Sequence, residues 1–452
     1  MYRIKIKFLG AAGTVTGSSY VLTSGSGKSI LIDLGMFQGT SDIDALNYER
    51  FEYDGSQLLG MVLTHAHLDH CGRLPILLPQ GFRGNIWMTG PTRDLTALSL
   101  IDSAKIAVND KKEILYDRDL AESAIDLFKT VNYHETFQIG DFTITMHDAG
   151  HILGSASLEI VDKQADSDIK KIVFSGDLGN YPEDLVPETE FIDSADAVVM
   201  ESTYGDRLHP SDDYVETIQS EINAIEVSGG TLLIPAFALE RTQEILHVIM
   251  HLKKKKLIQA KTPIFLDSPM AEKATAIYID YPQFFNEHVQ SELRAGSPFA
   301  VPGLEVIGSR EESDAIHDRK GPKVIIAGSG MMTGGRILKH SAFYLPMFTT
   351  RLLIVGYQGE DTLGRELVEG SREVIIDELP VRVKAELTII ESMSSHADQR
   401  QLMQWLKHIK NVKKVVLTHG ENTARSVLSK KISKELGIKD VLLPVLNQEV
   451  QF

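Results

Sequence analysis

Short apolar runs along the chain are repeatedly followed by a polar residue of the kind that binds metal ions or carries protons. Each run is short and bounded by turn-forming residues, which is typical of a buried strand. The runs and the residues that follow them are 61–63 with His65, 171–174 with Asp177, 197–200 with Glu201, 386–390 with His396 and 415–417 with His419. Because α/β architectures place chemistry at strand ends, the pattern predicts an α/β fold with a site built there.

The middle of the chain has a different pattern. From about residue 206 to 385, helical and strand segments alternate regularly, and the strand ends are not rich in histidine. A βαβ series of this kind predicts a separate doubly wound domain. The earlier pattern then returns. We therefore predict that residues 1–205 and 386–452 form one domain into which residues 206–385 are inserted.

Composition and charge indicate the class of protein, its cellular compartment and the kind of surface that it offers to nucleic acid. Its 452 residues are 43% hydrophobic and 24% charged, which is ordinary for a globular protein with more than one core. The sequence has neither a membrane-spanning apolar run nor a secretory signal, and its single cysteine, Cys71, fits a reducing cytoplasm. The net charge of −16 argues against a broad basic surface for nucleic acid. A narrow cleft with metal ions and a few arginines remains compatible with it.

The densest group of polar residues follows the run 61–63. The segment Thr64-His65-Ala66-His67-Leu68-Asp69-His70 contains three histidines and one aspartate. Neutral imidazole and carboxylate are ligands of borderline metals such as zinc. His65 and His67 can converge on one ion, and Asp69 and His70 can reach a second. The alternative is a solvated histidine-rich loop, which the density of ligand types and the preceding apolar strand disfavour.

Three later residues are expected to complete the ligand sets of the two ions. His151, in a glycine-bounded loop, would make a three-histidine site with His65 and His67 and leave room for a water. Asp177, which lies between two glycines, can give one oxygen to each ion. His419 would complete the ligand set of the second ion. The two ions would then lie roughly 3.5–4 Å apart, as in two-metal phosphoesterases.

Three further residues are expected to support this centre. Asp33 would accept a hydrogen bond from a ligand histidine or brace the metal loop, and a turn aspartate is the alternative. Glu201 and His396 lie outside the ligand set, and a glutamate beside a histidine would raise its pKa and keep it protonated. A buried structural pair is the alternative for these two. The residues predicted to take part in catalysis are Asp69, Glu201 and His396.

The inserted region carries a glycine-rich loop between a strand and a helix, at residues 328–336. Backbone amides at such a helix start bind phosphate and an arginine adds charge. The predicted phosphate contacts in this loop are Ser329, Gly330, Thr333 and Arg336. Its spacing differs from that of dinucleotide-binding loops and it lacks the ending of a P-loop, so a tight turn is the alternative. Further substrate contacts are predicted at Arg241, Arg365 and Ser395, with salt bridges as the alternative for the two arginines.

The order of these motifs resembles the metallo-β-lactamase fold and, within it, the β-CASP ribonuclease branch. The matching residues are Asp33, His65-Ala-His67-Leu-Asp69-His70, His151, Asp177, Glu201 in Glu-Ser-Thr-Tyr-Gly, His396 in Ser-His-Ala-Asp and His419 in His-Gly-Glu. Residues 328–336 are similar to the glycine-rich loop of that branch. The resemblance implies an αββα sandwich with two zinc ions per chain, capped by an inserted Rossmann-like β-CASP domain.

The resemblance also implies a reaction. It implies a zinc-dependent ribonuclease that hydrolyses phosphodiester bonds of single-stranded RNA by a two-metal mechanism, in RNA processing or decay. In DNA-directed relatives the position of His419 is typically another residue, so His419 favours RNA. The alternatives are a hydrolase of a small ester or thioester, a DNA-directed nuclease, and a catalytically silent RNA-binding scaffold, which an intact ligand set disfavours. No membrane partner is expected, and a homodimer is a further expectation.

Overall fold

The chain folds as two compact units. The computed structural model describes residues 3–109, 113–181, 184–359 and 361–452. The first unit consists of Met1–Leu208 with Ser395–Phe452, and the second of His209–Ser394. None of the described helices combines the length and the apolar character that crossing a membrane requires.

The strands and helices follow one another along the three segments of these units. Met1–Leu208 contains β1 (Lys5–Phe8), β2 (Ser19–Thr23), β3 (Ser29–Leu34), α1 (Ser41–Ala45), β4 (Leu58–Val62), α2 (Leu68–Cys71), β5 (Asn85–Met88), α3 (Gly90–Asn109), α4 (Arg118–Ile125), β6 (Phe128–Thr130), β7 (Thr136–Ile139), β8 (Phe142–Asp148), β9 (Ala156–Asp162), β10 (Lys171–Phe174) and β11 (Ala197–Met200). His209–Ser394 contains α5 (Tyr214–Ser228), β12 (Thr231–Pro235), α6 (Arg241–Lys254), β13 (Ile264–Asp267), α7 (Pro269–Asp280), α8 (Glu287–Ala295), β14 (Leu304–Val306), α9 (Arg310–Ala315), β15 (Lys323–Ala327), α10 (Arg336–Tyr344), β16 (Thr350–Ile354), α11 (Leu363–Val368), β17 (Glu373–Ile376), β18 (Leu379–Arg382) and β19 (Glu386–Ile389). Ser395–Phe452 contains α12 (Gln399–His408), β20 (Lys414–Leu417), α13 (Asn422–Glu435), β21 (Asp440–Leu442) and β22 (Glu449–Gln451).

The first unit is a four-layer sandwich. Within the described residues it holds two seven-stranded sheets, ordered β22-β1-β2-β3-β4-β5-β6 and β21-β20-β11-β10-β9-β8-β7. The sheets pack face to face through one apolar cluster, to which Phe8 contributes from the first and Phe174 from the second. Apolar residues on the outer faces pack against α3 and α4 on one side and α12 and α13 on the other. This arrangement confirms the predicted αββα sandwich.

Continuous apolar runs mark the strands that are covered on both faces. β3 and β11 are buried along their whole length, whereas β8 alternates between buried and half-buried positions. A strand with both faces covered needs apolar side chains at every position, and a strand with one solvated face needs them at every second one. The short runs of the first unit that precede polar residues, in β4, β10, β11 and β20, are therefore inner strands, whereas the run before His396 is an edge strand of the second unit.

The second unit has a parallel sheet. Among its described residues, six strands in the order β14-β13-β15-β12-β16-β19 pair with their neighbours in parallel. β12 and β15 are buried along their whole length, as expected when helices cover both faces. This is the Rossmann-like architecture that the regular βαβ series predicts.

One boundary differs from the sequence prediction. The strand Glu386–Ile389 was expected in the completing segment 386–452, but it pairs with β16 at the edge of the second unit's sheet, so that unit extends to Ser394. A short apolar strand followed by a histidine motif has the same pattern in either sheet. The sequence pattern therefore finds the strand but cannot say which sheet it joins.

Candidate metal centre

Polar side chains of the first unit converge at the C-terminal ends of its strands. The strands β10, β11 and β20 are parallel neighbours, so the residues that follow them leave the sheet at the same edge. These residues are Asp177, Glu201 and His419. His65 and His67 follow β4 of the facing sheet. The topology therefore brings residues from distant parts of the chain to one place.

Three histidines form one group. The Nδ1 atom of His67 lies 3.2 Å from the Nε2 atoms of both His65 and His151, and the three ring centroids are 5.0 Å apart. Burial, reinforced by neighbouring histidines, lowers the pKa of all three imidazoles, that of His67 to about 4. Neutral imidazoles with converging nitrogens are in the form that binds a metal ion.

A second group combines two histidines with two carboxylates. Asp69, His70, Asp177 and His419 each offer one ligand atom, and these atoms lie within 4.8 Å of one another. His70 Nε2 is 3.2 Å from Asp177 Oδ2, and His419 Nε2 is 3.2 Å from Asp69 Oδ2. These are the residues that sequence reasoning assigned to the second ion, and the fold brings them together.

Asp177 lies between the two groups. Its Oδ2 atom is 3.6 Å from His65 Nε2 and 3.8 Å from His151 Nε2, and its Oδ1 atom is 3.6 Å from His419 Nδ1. The side chain is buried, and neither oxygen accepts a hydrogen bond from any described residue. Burial would raise its pKa, but the charges of His419 and His70 hold the pKa well below its usual value. A buried carboxylate without donors fits metal ions as its partners.

Asp33 orients one of the histidines. Its Oδ2 atom lies 2.8 Å from His70 Nδ1, and its two oxygens accept hydrogen bonds from the amide and the hydroxyl of Thr64, both at 2.8 Å. With Nδ1 directed at Asp33, the Nε2 atom of His70 faces Asp177. This contact is the one expected of a carboxylate that fixes an imidazole for metal binding.

Backbone and hydroxyl groups hold other histidines of the centre. His151 Nδ1 donates to the carbonyl of Ser395 at 3.0 Å, and the hydroxyl of Thr203 lies 3.0 Å from His419 Nδ1. Sequence reasoning gave Thr203 no role, nor the two hydroxyls beside His70, from Thr64 at 3.3 Å and Ser18 at 3.2 Å. Thr64 and Thr203 stand next to predicted site residues along the chain, which was the available signal. Ser18 had no such signal.

Glu201 and His396 lie beside the two groups. Glu201 Oε1 accepts a hydrogen bond from the amide of Leu178 at 2.7 Å and lies 3.4 Å from His396 Nδ1. Burial alone would lower the pKa of His396, but the nearby charges of Glu201, Asp177 and Asp69 outweigh it and raise the pKa to about 9. These carboxylates favour the protonated form of the imidazole. Its ring centroid is 4.6 Å from that of His151.

The arginines predicted to contact phosphate make contacts within the second unit. Arg336 pairs with the buried carboxylate of Asp267 and donates to the carbonyls of Ile307 at 3.0 Å and Gly308 at 3.1 Å. These contacts commit three of its N–H donors to the fold. Arg241 forms a buried pair with Glu244, and Arg365 an exposed pair with Glu369 at 2.7 Å. The salt-bridge alternative describes these contacts, and their phosphate role stays a prediction.

The glycine-rich loop is held by its own hydrogen bonds. The hydroxyl of Ser329 accepts from the amide of Thr333 at 2.9 Å, and the amides of Ser329 and Met332 donate to carbonyls within the loop. Gly330 packs so closely against Phe237 that a Cβ there would lie 2.6 Å from the ring. The loop leads directly into α10, and phosphate binding at Ser329, Gly330 and Thr333 stays a prediction.

Three family models match successive parts of the chain. Residues 12–216 match the metallo-β-lactamase superfamily, residues 242–367 the β-CASP domain, and residues 380–444 the Zn-dependent metallo-hydrolase RNA specificity domain. A solved structure, described as a protein of unknown function from Enterococcus faecalis V583, aligns over 100% of both chains with a TM-score of 0.53 at 10% identity, a likeness of fold alone.

Curated relatives are similar over nearly the whole chain. Ribonuclease TTHA0252 of Thermus thermophilus is 38% identical over 94% of this chain and 95% of its own length. RNase aCSPSF2 of Saccharolobus solfataricus is 31% identical over 98% of this chain and 85% of its own. Transcription termination factor FttA of Methanocaldococcus jannaschii is 29% identical over 93% of this chain and 68% of its own.

Proposed function

The chain belongs to the β-CASP family of metallo-β-lactamase-fold ribonucleases, and on that premise we propose that it cuts single-stranded RNA with two zinc ions held at the strand-end centre. It is a hydrolytic nuclease of RNA processing. The zinc ions, their number at this centre and the preference for single strands are the parts that we propose.

The observation that carries the proposal is the carboxylate of Asp177. It is buried, and neither oxygen accepts a hydrogen bond of normal geometry from the described residues, while imidazole nitrogens of His70, His65 and His419 lie 3.2 to 3.6 Å away. Leaving an ionised carboxylate in this state is costly unless a cation compensates it. Its oxygens lie among potential ligand atoms of both groups, with Oδ2 near His65 and His70 and Oδ1 near His419, so it would be a ligand shared by both ions.

The ligands divide into two sets that share Asp177. His65, His67 and His151 would hold one ion, and Asp69, His70 and His419 the other. When bound, the pair of ions supplies activation of a water for attack and neutralisation of charge on the scissile phosphate. Asp33 keeps His70 in the tautomer that presents Nε2 to the site.

The chain's own contribution to bond breaking is a proton. Hydrolysis forms a bond from water oxygen to phosphorus, with loss of one water proton to solvent, and breaks the bond from phosphorus to the 3′-oxygen, which must gain a proton as it leaves. His396 carries that proton at neutral pH, because Glu201 beside it stabilises the imidazolium. We assign the donation to Nε2 of His396, since Nδ1 faces Glu201. The products would be a 5′-phosphate and a 3′-hydroxyl.

The test uses single-stranded RNA labelled at either the 5′ or the 3′ end, with the same RNA annealed to its complement for comparison. We expect the single strand to be cut and the new ends to carry a 5′-phosphate. Asp177→Asn should lose cleavage by about 10⁴-fold or more, because both ions lose a shared ligand, and its zinc content should fall by about two ions relative to the parent.

Two results would contradict the proposal. One is cleavage by Asp177→Asn at the parental rate with unchanged zinc content. The other is hydrolysis of a small ester or thioester by a protein that leaves every RNA substrate intact, which would establish the alternative reaction on the same fold.

A further inference from the structure

Two helices of the second unit carry metal-ligand side chains outside the strand-end centre. His247 and His251 lie four residues apart on α6, and His288 and Glu292 lie four residues apart on α8. Side chains at this spacing lie one above the other on the same face of a helix. Each helix therefore presents a pair of potential ligands.

The three imidazoles converge on Glu292. Its Oε2 atom lies 2.7 Å from His247 Nε2, and its Oε1 atom lies 3.0 Å from His251 Nε2 and 3.6 Å from His288 Nε2. The Nε2 atoms of His247 and His251 are 3.0 Å apart. Ligands of a tetrahedral zinc ion with bonds of 2.0–2.1 Å are about 3.3 Å from one another. The separations among His247, His251 and Glu292 are close to that value, and His288 lies at 3.6 Å from Glu292.

Hydrogen bonds alone do not satisfy this arrangement. An ionised carboxylate only accepts, so His247 and His251 must each carry a hydrogen on Nε2 to donate to Glu292. Two such N–H groups cannot bond to each other across 3.0 Å. If either Nε2 instead accepts from the other, it presents a lone pair to the carboxylate. A cation bound by the three Nε2 atoms and a carboxylate oxygen of Glu292 would accept all of these lone pairs.

Burial and charge also fit a cation. His247 and Glu292 have side chains 2% and 16% exposed, whereas that of His288 is 71% exposed and gives the cluster an open side. Glu292 supplies a negative charge and the imidazoles supply nitrogen ligands, which is the donor set that a divalent ion of this class binds.

We propose that His247, His251, His288 and Glu292 form a binding site for one divalent transition-metal ion of the zinc class. Four protein ligands fill a tetrahedral shell and leave no position for substrate, so the ion joins α6 to α8 and takes no part in the reaction. Because these helices are separated by β13 and α7 along the chain, an ion held by both stabilises the second unit as a whole. The site is independent of the function proposed for the first unit.

The experiment compares Glu292→Gln with Glu287→Gln, an exposed glutamate on the same helix, in full-length protein. Zinc content is measured by elemental analysis, and thermal unfolding is followed with and without added Zn²⁺. We expect Glu292→Gln to hold about one zinc fewer per chain than the parent, and Glu287→Gln to match the parent. Restoring Zn²⁺ to stripped protein should raise the midpoint of the second unit's unfolding by about 5 °C in the parent and Glu287→Gln but not in Glu292→Gln.

A second variant keeps the test open if Glu292→Gln fails to fold. His288→Ala removes an exposed ring, and its affinity for Zn²⁺ should fall about tenfold or more while the fold persists. Equal zinc content in the parent and in the folded variants, with equal thermal shifts on adding Zn²⁺, would overturn the site. Loss of RNA cleavage in Asp177→Asn bears only on the first unit, so the two proposals can fail separately.

Discussion

Two buried carboxylates stand at strand ends in the two units and have opposite surroundings. Asp177 follows β10 of the first unit, and no described residue donates a hydrogen bond to it. Asp267 ends β13 of the second unit and accepts from Ser313, from His340 at 2.7 Å and from Arg336. Both side chains are buried. The same position in an α/β topology therefore carries a carboxylate surrounded by potential metal ligands in one unit and a carboxylate satisfied by hydrogen bonds in the other.

The difference shows what makes a strand end a site. A buried carboxylate that has all its donors is a structural element, because a further cation would have to displace existing partners. A buried carboxylate without hydrogen-bond donors has lone pairs available to bind a metal ion. The strand end at Asp177 thus has the features of a metal-binding centre, and the strand end at Asp267 has those of a structural ion-pair network.

Among the variants that leave both proposed ligand sets intact, His396→Ala in the first unit has the largest expected effect. Turnover should fall by roughly 10²–10⁴, the usual contribution of a positioned general acid. Zinc content should stay at the parental value, because neither of the two proposed ligand sets includes this imidazole, although His396 also lies within ligand distance of His151 and Asp177. RNA affinity should change much less, since the lost interaction matures in the transition state. Single-turnover rates, elemental analysis and RNA binding measure the three quantities.

His419→Ala is the matched control for that variant. It also removes a strand-end imidazole, and the centroids of the two rings are 5.6 Å apart. It should lose zinc at one position, because His419 belongs to the second ligand group. A His396→Ala protein that lost zinc, or that cut RNA at the parental rate, would make the two histidines equivalent and remove the distinction between ligand and acid.

Much of the centre could be predicted because its chemistry is concentrated in short motifs. His65, His67, Asp69 and His70 lie within six residues of chain, and the distant partners Asp177 and His419 each follow a buried apolar strand. The sandwich follows from the same strands, because runs that are apolar at every position must be covered on both faces. The sequence therefore identifies residues that lie together, and their roles as ligands stay a prediction.

What could not be predicted depends on partners that are distant in the chain. Arg336 and Asp267 are 69 residues apart, and no local pattern tells an arginine that grips phosphate from one that closes an ion pair. Thr203 becomes a partner of His419 only through the pairing of β11 with β20. The histidine pair of α6 has a helical spacing that is visible in the sequence, but its meaning depends on α8 lying beside it.

Arg336→Ala has the next largest expected effect. It tests whether the carboxylate of Asp267 in the second unit is structural. The substitution removes one of Asp267's partners and leaves the carbonyls of Ile307 and Gly308 without that donor. The free energy of unfolding should fall by about 2–3 kcal/mol, because a buried charge loses its opposite charge. Denaturant unfolding measures it. The control is Arg365→Ala, whose pair with Glu369 is exposed and should matter by less than about 0.5 kcal/mol.

The same variant also tests phosphate binding by the glycine-rich loop. If Arg336 contacts RNA, its loss should weaken binding and reduce the slope of log affinity against log salt by about one unit. If its role is to hold Asp267, the salt slope should stay at the parental value. Unchanged stability together with a reduced slope would reverse our interpretation of the second unit.

Glu201→Gln should have a smaller effect in the first unit. The amide oxygen can still accept from Leu178, so the local fold is kept, but the charge that stabilises protonated His396 is lost. We expect turnover to fall by about tenfold, less than in His396→Ala. Glu190→Gln is the matched control, because Glu190 lies 3.4 Å from His147 outside the centre. Equal losses in both variants would mean that Glu201 acts on stability and not on the reaction.

The smallest expected effect is the pH dependence that Asp267 contributes. Burial would raise its pKa, but His340, Ser313 and Arg336 lower it from the ordinary value of 3.8. The folded state therefore binds its proton less readily than the unfolded state, so this carboxylate stabilises the second unit above pH 3.8 and loses that contribution as the pH falls through its folded-state pKa. Hydrogen exchange of amides in β15, measured between about pH 5 and pH 3, should show protection falling with acidity in the parent and falling less in Asp267→Asn. Asp280→Asn, which changes an exposed carboxylate at the end of α7, should follow the parent, and an Asp267→Asn curve that also followed the parent would show that the saturated carboxylate contributes nothing to this pH dependence.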